Sequence, residues 1–139
     1  MNKSGEILVV EDDQDDRDFL SDIFDSLEYP NKIVYFEDPT TVIPYLKSMN
    51  NRPFMILSDI NMPKLDGFEL RKLINQDNHL SRKCVPYIFL STSETPENVE
   101  RAFELSANGY FKKESNFSVY KSMISDIITY WKRSSIPMV

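Results

Sequence analysis

The run Phe54-Met55-Ile56-Leu57-Ser58-Asp59-Ile60-Asn61-Met62-Pro63-Lys64-Leu65-Asp66-Gly67 decides the fold. Its apolar half has the length of a buried strand and stops abruptly at Asp59, after which Pro63 and Asp66-Gly67 force a tight loop before the next helix. Asp59 therefore stands at the carboxyl end of a strand. In an open parallel sheet that edge carries polar groups on loops above a rigid base, and it is where ligands bind.

Working outward, the same grammar repeats. Glu6 to Val10 reads as a nearly all-apolar strand ending at Glu11-Asp12-Asp13, and Leu20, Ile23, Phe24 and Leu27 then carry the spacing of a helix with one buried face. Tyr29-Pro30-Asn31 ends that helix, and Lys32 to Phe36 is a second strand. Asp38-Pro39 opens the second helix as cap and first residue; Pro44 inside it predicts a kinked or irregular course. Leu70, Leu73 and Ile74 give the third helix its buried stripe. Pro86 to Leu90 is the fourth strand, and Thr95-Pro96 starts a helix with Val99, Ala102 and Phe103 facing inward. Asn108-Gly109 breaks it, Tyr110 to Lys112 forms a fifth strand, and Tyr120, Met123, Ile124, Ile127 and Trp131 mark the last helix. Five strands alternating with five helices predict an α/β doubly wound parallel sheet, because each parallel crossover needs a helix-length connection.

At 139 residues the chain is the size of one domain, 1–139, with its core over about 5–133 and short tails. A formal net charge of -6 argues against nucleic acid bound through its phosphates and directs attention to protein partners. Cys84 is the only cysteine, so no internal disulfide forms. With neither a signal-peptide core nor an apolar run of spanning length, the expectation is a cytoplasmic protein without membrane insertion.

Glu11, Asp12 and Asp59 all fall at strand ends, and on neighbouring strands their carboxylates crowd together. Two unit charges ~4 Å apart repel by roughly 4 kcal/mol at an effective dielectric of about 20. A hard divalent cation suits such an all-oxygen site, Mg2+ in particular, and Lys113 after the last strand offers a second positive charge. A carboxylate can attack phosphorus, and a cation, the Ser91 hydroxyl and the Lys113 ammonium could then hold the peripheral oxygens. Singly, each residue has a plainer role: a helix cap at Glu11-Asp12-Asp13, a loop cap at Asp59, a turn hydroxyl at Ser91, a surface lysine at Lys113, a half-buried aromatic at Tyr110. His79, in the polar stretch Gln76 to Lys83, is expected in solvent.

Taken together, Ile7-Leu8-Val9-Val10-Glu11-Asp12, Ser58-Asp59-Ile60-Asn61-Met62-Pro63 with Asp66-Gly67, Ser91, and Gly109-Tyr110-Phe111-Lys112-Lys113 make the chain resemble a receiver domain of the bacterial two-component response regulators, of the stand-alone chemotaxis-regulator type. The resemblance implies a flavodoxin-like sheet of order 2-1-3-4-5. It implies that Asp59 accepts phosphate from a histidine kinase or histidine phosphotransfer protein, with Mg2+ held by Asp12 and Asp59, by Glu11 through water and by the Asn61 carbonyl. Ser91 and Lys113 would bind phosphoryl oxygens, Tyr110 would follow Ser91 inward, and slow autodephosphorylation would return the switch. Output would pass to another protein through the fourth helix, fifth strand and fifth helix, Pro96 to Lys132, since the chain ends soon after the last helix.

Two positions depart from the family pattern. Glu114 stands where proline usually follows the lysine in a cis peptide, so a trans bond, a shifted Lys113 loop and a negative charge beside the lysine are expected. Thr92 replaces the usual small residue after the hydroxyl. These departures keep open a phosphorylation-independent binding module on the same fold. A phosphatase with an Asp nucleophile would need an acid at Asn61, and a flavin carrier would not place Glu11-Asp12-Asp13 against a phosphate.

Overall fold

The structure, a computed structural model, describes residues 2–135. Met1 and residues 136–139, assigned above to the tails, lie outside the described residues. Five strands, β1 (Ile7–Val10), β2 (Ile33–Phe36), β3 (Met55–Ser58), β4 (Tyr87–Ser91) and β5 (Gly109–Lys112), form one parallel sheet in the order β2-β1-β3-β4-β5. The helices are α1 (Gln14–Leu27), α2 (Val42–Ser48), α3 (Gly67–Asn75), α4 (Asn78–Lys83), α5 (Pro96–Glu104) and α6 (Phe117–Arg133). The flavodoxin-like order is as expected.

Side chains alternate across the strands and build a core on each face of the sheet. Leu8, Val10, Ile56, Tyr87 and Phe89 meet Leu46, Leu70, Ile74, Leu80 and Ala102 from α2 to α5. Ile7, Val9, Met55, Leu57, Ile88 and Leu90 meet Leu20, Ile23, Tyr120, Ile124 and Ile127 of α1 and α6. Both faces of the central strands are covered, which is why these strands read as continuous apolar runs rather than alternating ones.

Three sequence expectations change: the number of helices and the burial of Leu73 and Phe103. There are six helices rather than five: α4 lies in the polar stretch Gln76 to Lys83, capped by the Asp77 carboxylate, which accepts from the His79 and Leu80 amides at 3.0 and 3.1 Å. His79 itself is exposed, as expected. The irregular course expected of the second helix is present: a 3-10 turn over Pro39–Thr41, capped by Asp38, precedes α2 and puts Pro44 in its first turn, where an amide has no intrahelical partner to lose. Leu73 and Phe103, read as inward, are 43% and 52% exposed.

The added helix brings a buried lysine. Lys83 is 5% exposed, and its ammonium donates to the Leu46 and Met49 carbonyls at 3.1 and 2.9 Å, at the C-terminal end of α2. Arg71 of α3 does the same for α5: its Nε and Nη2 donate to the carbonyls of Leu105 and Ser106 at 3.0 and 2.9 Å. Buried cations thus add donors to carbonyls at the C-terminal ends of these helices.

Candidate functional site

Register explains why the acids meet. Val10 of β1 pairs with Ser58 of β3, so Glu11 and Asp59 leave adjacent strands one residue beyond a matched pair. The Asp59 amide donates to the Val10 carbonyl at 2.9 Å, extending the ladder by one bond, and the Asp59 Oδ1 accepts from the Ile60 amide at 2.8 Å. The loop beyond is pinned where α3 starts: the Gly67 amide donates to the Ile60 carbonyl at 2.7 Å, and Asp66 and Glu69 form a reciprocal capping box. A Cβ on Gly67 would lie 2.1 Å from the Asp59 carbonyl oxygen, so only glycine permits this approach.

One oxygen from each of Glu11, Asp12 and Asp59 falls within 4.8 Å of the others. Lys113 enters from the far edge strand. Its amide donates to the Ser91 carbonyl at 2.8 Å, continuing the β4–β5 ladder. Its ammonium donates to the Glu11 Oε1 and to the Asp16 Oδ2 at 2.9 Å, and lies 3.4 Å from the Asp59 Oδ1. Glu11, Lys113 and Asp59 are all strongly buried, with side chains 3%, 9% and 11% exposed.

Burial is the largest cause of a Glu11 carboxyl raised from 4.5 to about 8; the hydrogen bond from Lys113 opposes it and the charge of Asp59 adds to it. Asp59 is also raised by burial, against the pull of the Lys113 charge. Burial alone would lower Lys113, but the Glu11 hydrogen bond and the surrounding carboxylates outweigh it and hold the ammonium above its ordinary value. The site is acid-rich: Glu11, Asp16 and Asp59 face the Lys113 ammonium, with Asp12 beside them and the Arg17 guanidinium on the Glu11 backbone carbonyl at 2.9 Å.

The other expected residues sit at the same edge in different relations. The Ser91 hydroxyl is fully buried and accepts from the Ser93 amide at 3.1 Å, facing its own loop. Tyr110, half-buried, donates its hydroxyl to the Ser93 carbonyl, so the aromatic expected to follow Ser91 is fastened to the loop that Ser91 begins. Asn61 and Thr92 are exposed. The Lys113-Glu114 peptide is trans, the cis bond among the described residues being Val85-Pro86. With this trans bond the Lys113 ammonium lies 3.4 Å from the Asp59 Oδ1. Glu114 does not pair with it: that side chain lines a shallow depression with Ser118, Val119 and Met123 of α6.

Asp16 is the residue that sequence reasoning missed. It lies four positions before Leu20, on the extension of the inward stripe of α1, and a carboxylate on an inward stripe is a signal for a buried cation facing it.

Comparison with known proteins agrees with this arrangement. A family model described as the response regulator receiver domain matches residues 7–125. Response regulator Rcp1 of Synechocystis sp. (strain ATCC 27184 / PCC 6803 / Kazusa) is 28% identical over 130 residues, covering 90% of this chain and 87% of Rcp1. Among solved structures, the phosphorylated cyanobacterial phytochrome response regulator RcpA superposes with a TM-score of 0.85 at 28% identity, covering 96% of this chain and 99% of the other. The Mn2+-bound form of Rcp1 superposes at 0.82 with 27% identity and the same coverage. Strand order, an acidic cluster at the carboxyl edge and a family match across most of the chain converge: this protein belongs to the response regulator receiver family of phosphorylation-type signalling switches.

Proposed function

We propose that the chain accepts a phosphoryl group on Asp59 from a histidine kinase or a histidine phosphotransfer protein in the cytoplasm, and signals through protein–protein contacts. The observation that carries this reading is Asp59 itself, a buried carboxylate held by the Ile60 amide 3.4 Å from the Lys113 ammonium and within a cluster of three acids. An Asp59 oxygen attacks phosphorus, and the bond from phosphorus to the donor's imidazole nitrogen breaks. Its electron pair stays on that nitrogen, which takes a proton, and the acyl phosphate remains on Asp59. Lys113 supplies a fixed positive charge to a phosphoryl oxygen and Ser91 a hydroxyl, once that hydroxyl turns from the Ser93 amide.

The donor set fits Mg2+. Glu11, Asp12 and Asp59 converge as hard oxygen ligands, and burial with mutual repulsion already raises Glu11, a strain that a divalent cation relieves. Bound there, with the exposed loop at Asn61 alongside, Mg2+ would neutralise charge on the transferred group. That Rcp1 has a Mn2+-bound form supports a divalent cation in this protein.

The surface from Pro96 to Lys132, formed by α5, β5 and α6, is the proposed output face. Phe103, Phe117, Val119 and Tyr130 expose apolar surface along it, and Tyr110 joins it to the loop at Ser91. Phosphoramidate, a small donor with the same phosphorus–nitrogen bond, tests the chemistry. Wild type should gain hydroxylamine-labile phosphate in the presence of Mg2+ and Asp59→Asn none. Stable phosphate on both would overturn the assignment, and none on either would favour the phosphorylation-independent module.

A further inference from the structure

Lys113 is shared among three carboxylates, and one of them lies outside the acid cluster. Glu11 and Asp59 belong to that cluster; Asp16, in the first turn of α1, does not. Yet the ammonium lies 2.9 Å from the Asp16 Oδ2 and 3.4 Å from the Asp59 Oδ1. The ammonium donates hydrogen bonds to Glu11 and Asp16 and only ion-pairs with Asp59, so a phosphoryl group on Asp59 competes with Asp16 for the direction in which the lysine points. A cation entering the cluster draws on Glu11 and Asp59 and leaves Asp16 as the carboxylate that still competes for the lysine.

We infer that Asp16 is a positioning residue that acts through Lys113 as a brake, holding the ammonium toward α1 and opposing its transfer to a phosphoryl group on Asp59. The inference rests on Asp59 being the phosphoacceptor. Two effects of Asp16 point the same way: it competes for Lys113, and it adds negative charge where an anionic donor must approach. Its side chain is 40% exposed against 9% for Lys113, so it can release the lysine without being left buried and unpaired. In the metal-free protein Glu11 also accepts from Lys113, so removing Asp16 there does not set the lysine free in solvent.

The test uses acetyl phosphate with Mg2+, from which an Asp59 oxygen takes the phosphoryl group while the bond to the acetyl oxygen breaks and acetate leaves with the electron pair. Asp16→Asn should be phosphorylated about two- to fivefold faster than wild type, the size expected when a partly exposed ion pair is lost. Asp16→Glu should return toward the wild-type rate. Asp15→Asn is the control, since Asp15 is exposed on the same turn and removes equal charge without touching Lys113. Acceleration by Asp15→Asn equal to that by Asp16→Asn would overturn the inference in favour of general charge, and an unchanged or slower Asp16→Asn would overturn it outright. The Lys113 ammonium NMR signal, read without any donor, should exchange faster with water in Asp16→Asn. If wild type forms no acyl phosphate, the phosphoacceptor reading fails, while this signal still decides whether Asp16 holds Lys113.

Discussion

Glu11 is where the conflict of charges at the site is sharpest. Burial lifts its carboxyl from 4.5 to about 8, so the folded protein binds this proton more tightly than the unfolded chain does. The stabilisation from that proton is fully present below the unfolded value and is lost as pH rises toward about 8; melting of the metal-free protein should therefore move to lower temperature across that window. Mg2+ needs the ionised cluster, so its affinity should rise with pH over the same range, with proton release visible by calorimetry in buffers of different ionisation heat. A flat or falling affinity would contradict the assignment of Glu11 to the cation site. Cys84 is a contrasting case: burial alone pushes its thiol up to about 12, and nothing around it needs a nucleophile. It should resist alkylation in the native protein and react at once on unfolding, as mass measurement in urea would show. That Glu11, Asp12, Asp59 and Lys113 gather at one edge was legible because Glu11 and Asp59 each end an apolar strand run and Asp12 and Lys113 stand just past strand ends. Asp16 was not, since α1 also carries Asp15, Asp18, Asp22 and Asp25, and only the position of Lys113 singles one out.

Element boundaries carry the next layer of constraint. Gly67 lets α3 begin against the end of β3, and a methyl group there would meet backbone at 2.1 and 2.9 Å. Gly67→Ala should cost about 1–3 kcal/mol in urea unfolding, as forced overpacking does, and should also weaken Mg2+ binding, because the displaced atoms belong to Asp59 and Ile60. Loss of stability with unchanged Mg2+ affinity would show that the loop moves independently of the site. Lys83→Ala should cost a similar amount, about 1–3 kcal/mol, by taking the ammonium from the Met49 carbonyl and leaving the Leu46 carbonyl only the 3.3 Å bond from the Met49 amide. The strands were legible nearly to the residue since all but the edges are buried on both faces. The short helix α4 was not, because six residues carry too little periodicity and its single deeply buried apolar anchor is Leu80. Leu73 and Phe103 misled for a related reason: apolar type marks the inward side of a helix only when the partner surface extends that far.

For the whole molecule, the sheet acts as a rigid base with the site at one edge and a proposed output face beside it. On the proposed reading, phosphate on Asp59 would add charge and strong acceptors that draw Lys113 and Ser91 inward, and Tyr110, bonded to the Ser93 carbonyl, would carry that movement toward α5 and β5. Hydrogen exchange with Mg2+ and phosphodonor should therefore change most between Ser91 and Lys113 and least along β2, at the opposite edge of the sheet; uniform protection would argue against a localised switch. The proposed switch depends on Asp59 taking the phosphoryl group. The most direct measurement is intact-protein mass after incubation with acetyl phosphate, for wild type and Asp59→Asn, with Mg2+ and with a chelator. The account predicts the mass of one phosphate on wild type with Mg2+ and on no other sample; phosphate on Asp59→Asn, or an equal gain in the presence of chelator, would contradict it.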